Sequence, residues 1–202
     1  MVHRLIALLA LCACLLGAPA RAEQPEAVLQ AVLNDIQELW VPLNRDPEAG
    51  YDSRRAWTQA LIDQRFDFNF MARRSLGTQW RVLDTDEKIQ YQDLFYAILV
   101  ETVIDWLDGY DGESFEIGTV RQAGKNTELQ TVFTQTARRS VRVTWVARED
   151  DGRYLFRDVR VSGLSLTADF RGTHQRLLSD KGVAGLFARL AADLTAYREQ
   201  HD

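Results

Sequence analysis

The sequence predicts an α+β domain: N-terminal helices, a four-stranded antiparallel sheet, then C-terminal helices, with the helices packed on one face of a curved sheet. Three observations carry this. Apolar residues recur with helical period up to about Gly109, alternate from Ser114 to Val161, and return to helical period after Gly163. The connections within the alternating region are short, which makes neighbouring strands antiparallel. Helices and strands follow one another in blocks rather than interleaving, the pattern of helices packed on one sheet face.

Taken in order, Met1-Val2-His3-Arg4 places a charge ahead of the apolar run Leu5 to Leu16, and Ala18-Pro19-Ala20-Arg21-Ala22 offers two small-x-small cleavage sites. This predicts a secretory signal peptide over residues 1–22 and a single domain over residues 23–202; the apolar run is too short for a membrane span. A lipoprotein signal acylated at Cys14 is the alternative, but Cys12 is an odd residue for that motif and the apolar run continues past Cys14. Both cysteines lie in this leader, so the mature chain needs no disulfide and offers neither a thiol nucleophile nor a thiolate ligand. The formal charge of −5 falls to −7 without the leader, which contains Arg4, Arg21 and no acid. An acidic chain argues against broad nucleic-acid binding.

Val28, Leu29, Val32, Leu33, Ile36, Leu39 and Trp40 form a helical stripe from Glu26, which Pro42 is expected to stop. A second helix is expected after Ser53 with Trp57, Leu61 and Ile62 inward, and a short third between the cap Asp67 and the stop Gly77. In that third helix Arg73 and Arg74 point away from the apolar face, as a solvated surface or as a basic contact for a phosphate or a partner. Asp84-Thr85-Asp86-Glu87 opens the longest helix, whose stripe runs through Ile89, Leu94, Phe95, Ile98, Leu99, Thr102, Val103, Trp106 and Leu107 to Gly109.

The strands are read as Phe115 to Arg121, Glu128 to Thr136, Ser140 to Arg148 and Arg153 to Val161, with turns at Gly124-Lys125-Asn126, Ala137-Arg138-Arg139 and Asp150-Asp151-Gly152. In the third, Val141, Val143, Trp145 and Ala147 share one side. Gly163 then hands the sheet to a helix through Phe170, Thr173, Leu177 and Leu178, and Lys181-Gly182 separates a last one carrying Val183, Leu186, Phe187, Leu190 and Leu194.

The inventory leaves little chemistry. His174 and His201 have no second histidine at metal-ligand spacing, so neither a metal nor another cofactor is expected. Gly163-Leu164-Ser165 begins like a nucleophile elbow, but Thr167 stands where glycine would be needed. Asp158 is the one catalytic candidate. A carboxylate buried in a strand can serve as general base in a small periplasmic α+β enzyme, whereas pairing with Arg160 or a backbone donor would make it structural. Composition by itself leaves open whether the apolar interior is filled or hollow.

Phe70-Met71-Ala72-Arg73-Arg74-Ser75-Leu76-Gly77, with Trp80-Arg81 and Thr85-Asp86-Glu87-Lys88, resembles the middle of the MlaC family, also called the toluene-tolerance family. Arg157-Asp158-Val159-Arg160-Val161-Ser162-Gly163-Leu164-Ser165-Leu166, Phe170-Arg171 and Lys181-Gly182-Val183-Ala184-Gly185-Leu186 carry the same likeness. The resemblance implies a non-enzymatic periplasmic carrier of phospholipid, with the curved sheet and helices enclosing an apolar pocket that holds the acyl chains. It also implies partners: an inner-membrane ABC transporter with its lipid-binding substrate domain on one side, and an outer-membrane lipoprotein and porin complex on the other. A hopanoid-associated relative, or an adaptor with a filled interior, are the alternatives. The chain departs from the simplest form of that picture in being acidic, where a basic rim would best meet lipid phosphates. Candidate lining residues, from face assignment, are Phe68, Met71, Leu76, Phe95, Leu99, Val103, Val132, Val141, Val143, Trp145, Phe156, Val159, Leu164 and Leu166.

Overall fold

Two of the predicted helix starts, at Asp67 and Asp84, are set by a side chain that accepts a first-turn amide, and the structure shows those bonds. The structure is a computed structural model that describes residues 23–134 and 140–201; the predicted signal peptide at residues 1–22 and the predicted Ala137-Arg138-Arg139 turn lie outside the described residues. The chain begins with α1 (Pro25–Asp35), which passes through a π-helical turn, Ile36–Trp40, into α2 (Val41–Arg45). Pro42 therefore does not end the helix where the sequence predicts. In the widened turn the Val41 N–H bonds to the Ile36 carbonyl five residues back, and proline, with no N–H to place, sits in the first turn of α2.

Helix α3 (Tyr51–Arg65) starts after Gly50, so Ser53 lies inside it, and Trp57 packs against Trp40 with ring centroids 5.3 Å apart. Asp67 caps α4 (Phe68–Leu76) by accepting the Phe70 N–H at 3.0 Å. A 3₁₀ turn, Gly77–Arg81, leads to α5 (Thr85–Asp108), opened by a reciprocal box: Glu87 N–H donates to Asp84 Oδ1 at 2.8 Å and Asp84 N–H to Glu87 Oε2 at 2.9 Å.

Strands β1 (Ser114–Ala123), β2 (Asn126–Thr134), β3 (Ser140–Asp150) and β4 (Arg153–Val161) form an antiparallel meander, with a bulge between Ile117 and Val120 and another between Val146 and Ala147 that bend the sheet. A fifth, two-residue strand, β5 (Leu164–Ser165), is added to the four predicted. Ser162 (φ 51°) and Gly163 (φ 88°) both adopt the left-handed region a two-residue hairpin loop demands, so the chain first doubles back on Val161 and only then enters a helix.

Register sorts the sheet's two faces. Leu129, Thr131 and Phe133 pair with Trp145, Val143 and Val141, and the last two of the β4 run, Val159 and Val161, pair with Trp145 and Val143; these face the helices. Val132, paired with Arg142, belongs to the outer face with Thr144, Val146, Asp158 and Arg160.

Helix α6 (Leu166–His201) is broken at Gly182, whose φ of 68° and ψ of −175° separate two arms that pack on α4 and α5. In the first arm His174, not Thr173, points inward: it is 2% exposed, while Thr173 is exposed. Its Nδ1 shares a 2.7 Å hydrogen bond with the Tyr91 hydroxyl, which in turn bonds to Ser75. Burial pushes the Tyr91 phenol up and lowers the imidazole from 6.5 to about 4, only partly opposed by the charge of Asp193.

A base whose folded-state pKa is depressed contributes its full stability above its unfolded pKa and loses it as pH falls. Protein stability should drop by about 3 kcal/mol from this group between pH 6.5 and pH 4, beyond what the carboxylates contribute. Urea unfolding at pH 7, 5.5 and 4.5 should show His174→Asn losing that component of the pH slope. Gly77 gives a second test. Its φ of 58° is left-handed, and an added Cβ would lie 2.6 Å from Gln175 Nε2, which donates to the Leu76 carbonyl at 3.0 Å. Gly77→Ala should cost roughly 2–4 kcal/mol by urea denaturation, from backbone strain and the displaced hydrogen bond together.

Candidate functional site

Helix α5 ends at Asp108 with Gly109 as its C-cap, and its last residues stand apart from the inner face of the sheet. A hollow of about 540 Å³ lies between them. The sheet supplies Phe133, Val141, Val143, Trp145, Val159 and Val161; the end of α5 and the segment after it supply Trp106, Leu107, Gly109, Tyr110 and Glu113; Ile36, Ser162 and Leu164 complete the wall. Trp106 and Leu164, 41% and 79% exposed, stand at the mouth.

The wall is apolar because its polar atoms are spent elsewhere. Trp145 Nε1–H donates to Thr131 Oγ1 at 3.1 Å, beneath the sheet surface. The Tyr110 hydroxyl donates to the Glu113 carbonyl at 2.7 Å, joined by Gln37 Nε2–H at 3.1 Å, and burial pushes the phenol up so that it stays a neutral donor. Trp40 Nε1–H donates to the Leu107 carbonyl at 3.1 Å, closing one of the carbonyls a helix end leaves open and locking α5 to the π-helical turn. Tyr110 and Phe133 then meet edge to face at 5.6 Å. Such a wall can shelter hydrocarbon and offers no group that would attack it.

Of the candidate lining residues, Val141, Val143, Trp145, Val159 and Leu164 border this hollow. Met71, Leu76, Phe95, Leu99, Val103 and Leu166 are buried in the packed core instead, Phe156 is wedged between Phe66 and Trp145, and Phe68 packs edge-on against Tyr96. Val132 lies on the opposite side of the sheet and borders a shallow outer dent with Arg142 and Thr144, so it does not line the hollow. Ile36, Tyr110, Phe133 and Val161 are lining residues that sequence reasoning did not single out. Phe133 and Val161 continue the alternation of β2 and β4, and that signal could have found them; Ile36 is delivered by the π-helical turn, which has no local sequence mark.

Asp158 is on the outer face. Its Oδ1 accepts the Thr167 N–H at 3.0 Å, and its Oδ2 accepts Ser165 Oγ–H at 2.8 Å and Arg160 Nε–H at 3.2 Å. A strand carboxylate thus caps α6 from outside the helix, and Ser165 caps Ala168 at 3.0 Å. Neither residue borders the hollow; both line a smaller cleft on the outer face, where the Asp158 carboxylate is engaged by Thr167, Ser165 and Arg160 and Ser165 serves as a cap, the structural reading of both residues. Among the described residues no group of three metal-ligating side chains converges, and no helix is long and apolar enough to cross a membrane.

The fold is shared. The structure superposes on that of the phospholipid-binding protein from Ralstonia solanacearum, determined in complex with a phospholipid, with a TM-score of 0.72 at 19% sequence identity, covering 87% of this chain and 99% of that one. No curated protein sequence matches the chain. The profile of the MlaC family, described as MlaC protein, matches residues 30–192, and the chain belongs to that family.

Proposed function

We propose that this protein is a periplasmic phospholipid carrier, which holds acyl chains in the hollow at the end of α5 and moves them between the outer membrane and an inner-membrane ABC transporter. The observation that carries the proposal is the open apolar hollow of about 540 Å³ with its hydrogen-bonding groups turned into the protein. The Ralstonia solanacearum protein of the same fold supports it, since that protein was solved with a phospholipid bound. The signal-peptide pattern at residues 1–22 supports the compartment.

The physics requires such a shell. Each methylene exposed to water costs about 0.8 kcal/mol, so two chains of about sixteen carbons face a barrier on the order of 20 kcal/mol in crossing an aqueous gap. A dry apolar hollow is filled most favourably by apolar matter, so the protein should purify with lipid bound. A bilayer shelters tails about as well as the hollow does. Loading and release then depend on docked partners that open the mouth: the transporter's lipid-binding substrate domain at one membrane, a lipoprotein and porin complex at the other. Between Trp106 and Leu164 the head group stays in water.

Native mass spectrometry of the purified protein tests the reading directly, with phospholipid adducts as the expected result and a lipid-free spectrum as the adverse one. Val143→Trp projects an indole into the hollow and should reduce the lipid-bound fraction roughly tenfold or more while leaving the thermal midpoint nearly unchanged; a stability loss of about 1–3 kcal/mol with lipid retained would show packed core there instead. Asp158→Asn should cost roughly 1–3 kcal/mol through the weakened cap and ion pair and leave lipid binding intact.

A further inference from the structure

On the other side of β4 a cleft of about 280 Å³ is lined by Arg74, Arg157, Arg160 and Arg171, together with Phe70, Asn126, Val146 and the start of α6. Four guanidinium groups on one small concavity are unexpected in an acidic chain. Two are held by carboxylates: Arg157 by Asp67 at 2.7 Å while lying over the Phe70 ring at 4.4 Å, and Arg160 by Asp158 at 3.2 Å and Glu128 at 3.0 Å. Arg74, from the last turn of α4, and Arg171, from the second turn of α6, are in no ion pair among the described residues. The one carboxylate lining the cleft, Asp158, is already engaged by Thr167, Ser165 and Arg160.

Arg74 and Arg171 are both exposed, so water screens their mutual repulsion, but they bring two uncompensated guanidiniums from separate helices to one cleft, where an anion would be attracted by both. Arginine presents forked donors that match the oxygens of a phosphate, and two forks from different directions suit a tetrahedral group with acceptors on all sides. The first-turn amides of α6 at Thr167 and Ala168 are already capped by Asp158 and Ser165, so the side chains and not the helix end make the site. We infer that the Arg74–Arg171 cleft binds a phosphate group, as a second ligand site on the sheet face opposite the lipid hollow. The inference goes beyond the carrier reading and does not depend on it, because β4 separates the cleft from the hollow.

Two sources share that chemistry, the free ion and a phosphate ester of the lipid type. Isothermal titration of the purified protein with inorganic phosphate and with glycerol 3-phosphate, at ionic strength held constant with sodium chloride, should give saturable binding. Arg74→Gln/Arg171→Gln should weaken it roughly tenfold or more, and Arg74→Lys/Arg171→Lys, which keeps charge but not the fork, should fall between the two. Phospholipid adducts measured on the same samples should be unchanged, which separates this result from failure of the carrier reading. Tighter binding of glycerol 3-phosphate assigns an ester; equal binding assigns the ion. The proposal is overturned by absence of saturable binding with both probes, by wild-type affinity in the glutamine variant, or by a tetraglutamate peptide binding more tightly than either phosphate.

Discussion

An open sheet with an apolar inner face must be packed along its whole length or border a hollow, and here it does both in turn. Helix α5 packs Phe95, Leu99 and Val103 into the core and then ends at Gly109, so the inner face at Phe133, Val141 and Val143 borders a hollow with Ile36, Trp106 and Leu107 on its other wall. The segment after α5 is held at the wall of the hollow because the Tyr110 hydroxyl and the Gln37 side-chain amide both donate to the Glu113 carbonyl. Everything that makes the hollow persistent follows from fixing that helix end: the Trp40 indole holding the Leu107 carbonyl, and the π-helical turn that aims both Trp40 and Ile36.

The opposite end of the sheet shows the reverse solution. There Phe156 is packed between Phe66 and Trp145, the Asp67 N–H donates to the Phe156 carbonyl at 2.9 Å, and Arg157 reaches back to the Asp67 carboxylate. One aspartate therefore caps α4 and anchors β4, while the acid on β4 itself, Asp158, anchors α6. These partly buried pairs gain from being hydrogen-bonded as well as charged, since a buried carboxylate without such partners would cost several kcal/mol. They pin strand, helix and cap together at the packed end, whereas the wall of the hollow at the far end is built of aromatic and aliphatic side chains.

Local signals in the sequence were strong wherever a side chain acts on its own neighbourhood. The Asp84–Glu87 box, the Asp67 cap, the Gly77 and Gly182 breaks and the alternation of β3 needed nothing but nearby residues to be legible. The readings that failed were those in which a distant group decides. Thr131 takes an inner position because the Trp145 indole gives its hydroxyl a partner, and that displaces Val132 outward against the usual polarity of a strand. His174 is buried because Tyr91 lies across from it, although Thr173 fits the apolar stripe as well on paper. The hollow itself shows the same limit: Phe95 and Val143 both read as inward apolar residues, and only the packing of distant elements makes the first core and the second wall.

Strand β4 is the partition on which the functional layout turns. Its inward residues, Val159 and Val161, face hydrocarbon-lined space; its outward residues, Asp158 and Arg160, belong to an ionic network; and Arg157, set off by the bulge, ties the strand to α4. Apolar and ionic surfaces are thereby kept on opposite sides of a single strand, where neither degrades the other: charges near the hollow would make it wet, and a greasy outer face would invite association. The alternation of side chains along a strand is sufficient to impose that separation, and the β4 to β5 turn at Ser162-Gly163 is where it ends, with Leu164 returned to the mouth of the hollow and Ser165 to the cap of α6.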